Sequence, residues 1–380
     1  MELKEYRFDE VTINFDKKRV PLSGAQREKR QGNFRYYGAQ GVIDHIDDFI
    51  FDGTYLLIAE DGENLKSKKQ NIAQVVEGQF WVNNHAHIVQ GNELCNTRYL
   101  CYLLNSMDLS GYVTGSAQPK LSQANLNAVT LFLPSITVQE RIVECLYLFD
   151  KKIAVNQKIN DNLEQQARAY FQELFVDNSD SAWTLGTVSD LGAVVGGSTP
   201  SKSKPEYYTE DGIAWITPKD LSINKAKFIS HGENDITELG LKNSSASIMP
   251  EGTVLFSSRA PIGYIAIASG EVTTNQGFKS VVPKPEIGTA YVYYFLKHNL
   301  PIIEGMASGS TFKEVSGSTM KNVPAVIPDT ETLACFNDFC TPIFAQQRIL
   351  EEQNQSLAAL RDSLLPKLMS GEIDVSDIQL

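Results

Sequence analysis

The stretch GSAQPKLSQANLNAVTLFLP (115–134) returns without a gap as GSTFKEVSGSTMKNVPAVIP (309–328), 194 residues later. Gly115/Gly309, Ser116/Ser310, Ser122/Ser316, Val129/Val323 and Pro134/Pro328 are identical, and Leu121/Val315, Leu126/Met320 and Leu133/Ile327 are close in character. The same offset carries Gly115–Phe175 over Gly309–Met369. Upstream, with small shifts, NTRYLCYLLN (96–105) matches GTAYVYYFLK (288–297), and VNNHAHIV (82–89) matches TTNQGFKSV (273–281). One offset sustained over such a length marks a tandem duplication, and a duplication decides the architecture before any local motif does.

Each repeat runs into a heptad pattern. From Gln139, the positions Ile142, Leu146, Phe149, Ile153, Asn156, Asn160, Leu163, Ala167, Tyr170 and Leu174 step by four and three, which lays a seam along one side of a long helix. The second copy gives Phe336, Cys340, Ile343, Gln347, Leu350, Asn354, Leu357, Arg361, Leu364 and Leu368. Asn160 and Asn354 coincide, and a buried Asn in such a seam costs stability but sets register. Pro342 and Pro366 are expected to shorten or kink the second helix. At 1.5 Å per residue each helix spans roughly 50 Å, far beyond an ordinary core helix.

The globular parts alternate short β-rich runs with Gly, Asn and Pro, as in TYLLIAEDG (54–62), FWVNNHAHIV (80–89), TVLFSSR (253–259) and YIAIASG (264–270). Each also holds one helical stretch, Thr97–Leu104 and Ala290–His298. The expected fold is α+β: two similar mixed-sheet domains in tandem, 1–138 and 179–330, separated by two long helices, 139–178 and 331–370, that pair as an antiparallel coiled coil, with a tail at 371–380. Recognition then falls to loops on the scaffold.

Hydrophobic residues make up 42% and charged residues 21% of the 380, enough to bury real cores in two or three domains. No stretch reaches the roughly 18–20 apolar residues of a membrane span, and Met1–Glu10 does not read as a signal peptide. Five cysteines without a CxxC pair are expected as free thiols in a reducing cytoplasm. A net charge of −12 weighs against nucleic acid. Yet Lys17, Lys18, Arg19, Arg27, Lys29, Arg30 and Arg35 stand against Glu28 alone within 17–35, and distribution matters more than the sum.

Enzyme signatures are missing. There is no GxxxxGK[ST] phosphate loop, no Asn-Pro-Pro-aromatic run of the kind amino-methyltransferases use, and no GxSxG elbow. GGSTP (196–200) reads as a turn. His85 and His87 read as strand packing, with no third ligand at metal-binding spacing. Asp44–His45, Asp47–Asp48 and Asp61–Gly62–Glu63 read as turns and surface acids. No catalytic and no metal residues are assigned.

Four further runs carry a resemblance to a known family. RVPLSG…FRYYGAQGVIDHIDDFIFDGTYLLIAEDG (19–62) and WTLGTVSDL…GGSTPSKSKPEYY…GIAWITPKDL (183–221) resemble two target-recognition-domain openings. LPSITVQERIVECLYLFDKKI (133–153) is similar to the start of a central helix, and LAALRDSLLPKLMSGEI (357–373) to the C-terminal end. In this order they look like the specificity (S) subunit of a type I restriction–modification system. The departure is CFNDFCTPIFAQQR (335–348), which lacks the Gln-Glu-Arg-Ile of Gln139–Ile142. The resemblance implies a cytoplasmic, non-catalytic subunit. Each target-recognition domain would read half of a bipartite, asymmetric site in double-stranded DNA, and the helix pair would set the spacer. It would dock two adenine-N6 methyltransferase (M) subunits and recruit restriction (R) subunits. It would bind no cofactor itself, with S-adenosylmethionine, ATP and Mg on its partners and no membrane contact. The alternative is a coiled-coil protein-interaction scaffold that does not read DNA.

Phosphate clamping needs Lys, Arg and hydroxyls, and base reading needs hydrogen-bonding side chains. In the first domain the candidates are Arg27, Lys29, Arg30 and Arg35, in a polar loop before YYGAQG, with Gln118 and Lys120 in GSAQPKLS. In the second they are Lys202 and Lys204 after GGSTP, Lys219 in ITPKDL, Arg259 in SSRAPIG, and Thr311 and Lys313 in GSTFKEVS. Tyr36, Tyr37 and Tyr207 are expected to pack in cores. Arg141, Lys151, Lys152 and Arg348 are expected to face partners.

Overall fold

The computed structural model describes residues 2–67, 70–115, 118–309, 313–373 and 375. In it, the residues common to the two repeats do the same mechanical work. Gly115 and Gly309 both hold positive φ, +84° and +126°, a region that only glycine enters freely. Ser122 and Ser316 both cap short helices, accepting from the backbone N–H of Asn125 and Thr319 respectively, as N-cap serines do. Val129 and Val323 are fully buried, as are the paired Leu121/Val315 and Leu126/Met320.

Two compact units result, the first from 1–152 with 356–380 and the second from 153–355. The division falls inside each long helix.

In the first unit the strands are β1 (Lys4–Arg7), β2 (Thr12–Asn14), β3 (Gln31–Gly38), β4 (Gly41–Ile46), β5 (Phe51–Ala59), β6 (Ala73–Val82), β7 (Ala86–Gly91) and β8 (Thr130–Leu133). Six form one sheet in the order β2-β7-β5-β6-β3-β4, antiparallel except for the parallel pair β3–β6. β1 pairs with β8. In the second unit the strands are β9 (Thr184–Thr187), β10 (Gly192–Gly196), β11 (Tyr208–Thr209), β12 (Ile213–Ile216), β13 (Phe228–Ile229), β14 (Asn234–Ile236), β15 (Val254–Ser258), β16 (Ile262–Ala268), β17 (Thr273–Thr274), β18 (Lys279–Pro283) and β19 (Pro324–Ile327). They form sheets β10-β18-β15-β16-β13 and β11-β14-β12-β17, with β9 paired to β19. The parallel pair β12–β17 sets Ile216 beside Thr274, as β3–β6 sets Tyr37 beside Val82. The α+β expectation with two similar mixed-sheet domains holds.

The helices named below are α1 (Gly24–Glu28), α2 (Thr97–Ser106), α3 (Ile136–Gln172), α4 (Thr289–His298) and α5 (Thr330–Ser370). α3 starts earlier than the pattern predicts and closes over Glu173–Asp177 with a wider turn, Asn178 N–H donating to the Glu173 carbonyl at 3.1 Å. α5 runs unbroken through Pro342 and Pro366, against expectation. The bond lost at Pro342 is offset by packing on both sides of it, with Phe336, Cys340 and Ile343 buried in one core.

The two helices run antiparallel within each unit. In the second, Tyr170 stacks near Phe336, the Asn160 carbonyl accepts from Gln347, and Asn156 donates to Asn354. In the first, Arg361 meets Asp150 at 2.6 Å. Every seam position from Ile142 to Tyr170 and from Phe336 to Leu368 is buried or half-buried, so the heptad reading holds. Asn354, which coincides with Asn160 in the repeat, pairs across the seam with Asn156, because antiparallel helices exchange registers that a repeat alignment superimposes.

The missing Gln-Glu-Arg-Ile in the distal helix has a physical counterpart. Gln139 is fully buried: its Oε1 accepts from Asn96 N–H and its Nε2 donates to the Leu94 and Pro134 carbonyls, all at 2.9 Å. It thereby fixes the N-cap of α2. One repeat on stands Leu333, buried at 2% exposure, and the anchoring passes to Asn337, whose Nδ2 donates to the Ile287 carbonyl beside the start of α4. Among the described residues, no helix is long and apolar enough to cross a membrane.

Candidate nucleic-acid interface

One loop scaffold is built twice. In the first unit the chain leaving β6 turns at Asn83, whose N–H donates to the Tyr37 carbonyl at 2.9 Å and whose Oδ1 accepts from His85 N–H at 2.8 Å. In the second, Asn275 N–H donates to the Ile216 carbonyl at 3.0 Å and its Oδ1 accepts from Gly277 N–H at 2.8 Å. An asparagine closing its own backbone two residues on is the reason this residue type stands at both turns. The next rung also repeats: Glu60 N–H to the His85 carbonyl at 2.9 Å, Ser258 N–H to the Gly277 carbonyl at 2.7 Å. So does the last: Leu121 N–H to the Glu60 carbonyl at 2.8 Å, Val315 N–H to the Ser258 carbonyl at 3.0 Å. These bonds match Asn84 to Gln276, Asp61 to Arg259 and Lys120 to Glu314. The tips differ where the frame does not.

In the second unit the scaffold gathers sequence-predicted residues. Lys202, Lys219 and Arg259 line one cleft of about 460 Å³ together with Thr199, Asn275 and Gln276. Arg259 also borders an adjoining cavity with Lys313 and Glu314. GGSTP is not a turn but the end of β10 followed by an irregular segment, and it lies flat on the scaffold: a Cβ on Gly197 would stand 2.0 Å from the Asn275 carbonyl oxygen, and Ser198 N–H donates to the Thr274 carbonyl at 2.8 Å. Lys219 pairs with Glu233, which holds its ammonium above the ordinary lysine range through that hydrogen bond. Arg259 reaches Glu314 at 3.4 Å, with 39% and 38% of the two side chains exposed. Exposed pairs of this kind are weak because solvent screens them, so both cations can exchange their carboxylates for another acceptor. Lys204 lies apart, over the ring of buried Tyr207 at 5.3 Å. Thr311 lies outside the described residues.

The first unit sorts its candidates differently. Of the four arginines and lysines expected in one loop, Lys29 and Arg30 lie in the turn between α1 and β3, whereas Arg27 lies in α1 and Arg35 in β3. Ser23 and Gln26 form a capping box that starts α1, and β3 follows. Arg27 donates to Asp44 at 2.8 Å and Arg30 sits 2.9 Å from Asp47, while their guanidinium groups lie over Tyr36 and Trp81. Arg19 is likewise held by Asp16 and Glu60. Three of the seven cations of 17–35, Arg19, Arg27 and Arg30, are thus paired with acids, the last two by acids that β4 and its following turn bring alongside, and Arg27 and Arg30 hold the sheet edge together. Arg35 is exposed but donates to the Glu77 carbonyl at 2.6 Å, and Lys29 is exposed. Tyr36, Tyr37 and Tyr207 are buried, as expected.

Gln118 and Lys120 do belong to the loop cluster. Gly62 N–H donates to the Pro119 carbonyl at 3.2 Å, and Lys120 reaches Glu60 at 3.3 Å. The neighbours that join them were read in sequence as packing and turns. His85 pairs with Asp61 at 2.7 Å. His87 is fully buried, with Nδ1 2.6 Å from Asp16 and Nε2 2.8 Å from the Leu121 carbonyl. Both ring nitrogens face acceptors, so the ring is an imidazolium. Burial alone would lower its pKa, but the hydrogen bonds to Asp16 and Leu121 and the charges of Asp16 and Glu60 raise it above the ordinary value. Asp16 also titrates below its usual range, since its bonds to His87 and to Ile88 N–H outweigh burial. His87 therefore fixes the loop that carries Gln118 and Lys120.

Asp61, Asn84, His85, Thr199, Asn275 and Gln276 join these loops in the structure, and charge alone does not single them out. The signal that contained most of them was the weak repeat VNNHAHIV/TTNQGFKSV, whose matched turn is polar in both copies. Of the residues expected to face partners, Lys151 and Lys152 are exposed. Arg141 donates to the Val375 carbonyl, and Arg348 is tied to Glu251 and Glu352.

The family described as "Type I restriction modification DNA specificity domain" matches this chain twice, over residues 2–165 and 180–360. The specificity subunit of the type I restriction enzyme MjaIX of Methanocaldococcus jannaschii is 41% identical over 191 residues, covering 48% of this chain and 44% of that protein. The HindI specificity subunit of Haemophilus influenzae is 24% identical over 404 residues, covering 85% of this chain and 84% of that one. The chain thus spans less than half of the first relative and most of the second. The crystal structure of a type I restriction–modification S subunit from M. genitalium aligns with a TM-score of 0.58 at 15% identity, over 97% of this chain and 96% of that one, a likeness of fold.

Proposed function

Since the chain belongs to the type I restriction–modification DNA specificity family, we propose that it is the DNA-specificity subunit of such a system, each unit reading one half of a bipartite asymmetric site in duplex DNA. The observation that carries this reading is the loop scaffold built twice on matched hydrogen bonds, with tips of different chemistry. A common frame with divergent tips suits two readers of unlike half-sites, because phosphate contacts position a protein while base contacts specify. Lys202, Lys219, Arg259 and Lys313 in the second unit, and Gln118 and Lys120 in the first, are the contacts proposed on the DNA. Thr311 remains a proposed contact on sequence alone. Lys29 and Arg35 are proposed as backbone contacts outside the loop cluster, while Arg27, Arg30 and Lys204 contribute through the local structure they hold.

The paired helices set the unspecified spacer in this proposal, since fixed separation of two readers fixes half-site spacing geometrically. They also dock two adenine-N6 methyltransferase subunits. Supporting this, α3 exposes Val155 and Ile159, 43% and 41% accessible, one turn apart on its outer side, with Lys151 and Lys152 nearby. The chain itself performs no chemistry; S-adenosylmethionine, ATP and Mg belong to the methyltransferase and restriction partners. The test is N6-methyladenine mapping in cells co-expressing this chain and its methyltransferase partner, against cells lacking this chain. Methylation at one split motif that disappears without the chain is expected. Methylation unchanged by its omission would overturn the reading in favour of a protein-binding scaffold.

A further inference from the structure

The matched loop scaffolds carry opposite charges at the same places. Asp61 in the first unit corresponds to Arg259 in the second, each following the residue locked to its Asx turn, Glu60 or Ser258. Lys120 corresponds to Glu314, each preceding the residue that closes the last rung, Leu121 or Val315. The turn differs as well: His85 of the first unit, paired with Asp61 at 2.7 Å, stands where the second unit has Gly277.

The support beneath the two positions differs from that beneath the lysines around them. Arg259 follows β15, of which all five residues are buried. Ser258, at its end, is fully buried and bonded twice to the Gly277 carbonyl, through N–H at 2.7 Å and Oγ at 3.1 Å. Lys202 stands on an exposed turn of the same cleft, and Lys219, itself exposed, in the first turn of the short helix Pro218–Ile223. A base edge is read by a fork whose backbone does not move, whereas a phosphate accepts a mobile ammonium from many positions. Beside Arg259 the cleft also presents Gln276, exposed at the tip of its turn.

Building on the reading of this chain as a DNA-specificity subunit, we propose that position 61/259 is where the two half-sites are told apart: Arg259 reads a guanine in one half through O6 and N7, and Asp61 accepts from the amino group of a cytosine in the other. Guanine's major-groove edge offers two acceptors in the spacing of a guanidinium fork, and cytosine offers a donor to a carboxylate. The same chemistry rejects the alternative, since a carboxylate set against guanine's two acceptors is repelled. In this arrangement Glu314 and His85 are positioning residues that hold the two readers when DNA is absent.

The test uses the purified full chain and a duplex DNA library randomised over its central region, with the enriched motif determined for the wild type and for Arg259→Gln, Arg259→Lys and Asp61→Asn. The wild type is expected to enrich a split motif. Arg259→Gln and Arg259→Lys should both lose a guanine preference at one position of one half, with roughly ten- to hundredfold weaker binding to the wild-type site, and leave the other half intact. Asp61→Asn should change one position in the opposite half only. The lysine variant guards against misfolding and separates roles, because a phosphate contact survives Arg→Lys and a bidentate base contact does not. Uniform weakening on every duplex with the motif unchanged, or Arg259→Lys behaving as wild type, would overturn the proposal and leave the specificity reading standing. A wild type that enriches no motif would overturn the specificity reading, and the base assignment with it.

Discussion

His87 shows how far one residue is from legible in sequence. Its type and spacing say only that it alternates on a strand, yet the fold surrounds it with Asp16, Glu60 at 4.0 Å, Arg19 on Asp16, and the Leu121 carbonyl. Because its folded pKa is raised above its ordinary value of 6.5, its contribution to stability is complete below that value and fades as pH rises through the folded pKa. His87→Gln is expected to cost about 2–3 kcal/mol at pH 6, since it removes one member of a buried pair. Denaturant midpoints at pH 6 and at pH 8 check this: the gap between wild type and variant should narrow at the higher pH. A gap that widens would mean that the ring is neutral in the folded chain. The basic run of 17–35 teaches the converse lesson, because its arginines were visible and their neutralisation by Asp44 and Asp47 was not.

At the level of elements, the long helices were readable because a seam of this length has no competing explanation. What the pattern left open was which polar residues face each other. Asn156 is fully buried and donates to Asn354 at 2.9 Å. Asn354→Leu alone is expected to destabilise by about 1–3 kcal/mol, leaving the Asn156 amide buried without this acceptor. Asn156→Leu with Asn354→Leu should recover that loss and exceed wild-type stability, as buried polar pairs replaced by apolar ones often do. Thermal unfolding of both single variants and the double variant decides the matter; a double variant whose loss equals the sum of the singles would remove the pairing from the account. Ser122 and Ser316, by contrast, stand out in the repeat as identical residues, and the structure makes both N-caps of short helices, because cap chemistry is local.

Across the whole molecule, two further outcomes follow from charge. Within the second unit, Glu164 of α3 meets buried Lys227 and, at 2.9 Å, Lys297, while Lys227 also donates to Gln347 of α5 at 2.7 Å. Burial would raise the Glu164 pKa, but the two lysines hold it at about 2, so its stabilisation is present above the ordinary carboxylate value of 4.5 and lost as pH falls toward 2. Glu164→Gln should cost about 3 kcal/mol by stranding Lys227 and flatten the acid limb of the stability profile. Lys227→Met, which leaves Glu164 with Lys297, should cost less; acid titration of unfolding for the two variants tests the order. The second outcome concerns DNA. With a net charge of −12 and Arg19, Arg27 and Arg30 of the local basic run already paired, binding by the chain alone should fall shallowly with salt. A slope of log affinity against log salt near that of a protein touching 6–10 phosphates would contradict this. By itself the sequence determined the duplication, the two long helices with their seam, the serines and glycines common to both repeats, and the missing enzyme signatures, because periodicity and turn chemistry act between residues a few positions apart. Only the tertiary structure decided which cations stay free, which asparagines pair, and that Asp61 and Arg259 occupy one position in two frames. Those depend on residues far apart in sequence meeting across strands, and a linear charge count carries no information about who meets whom.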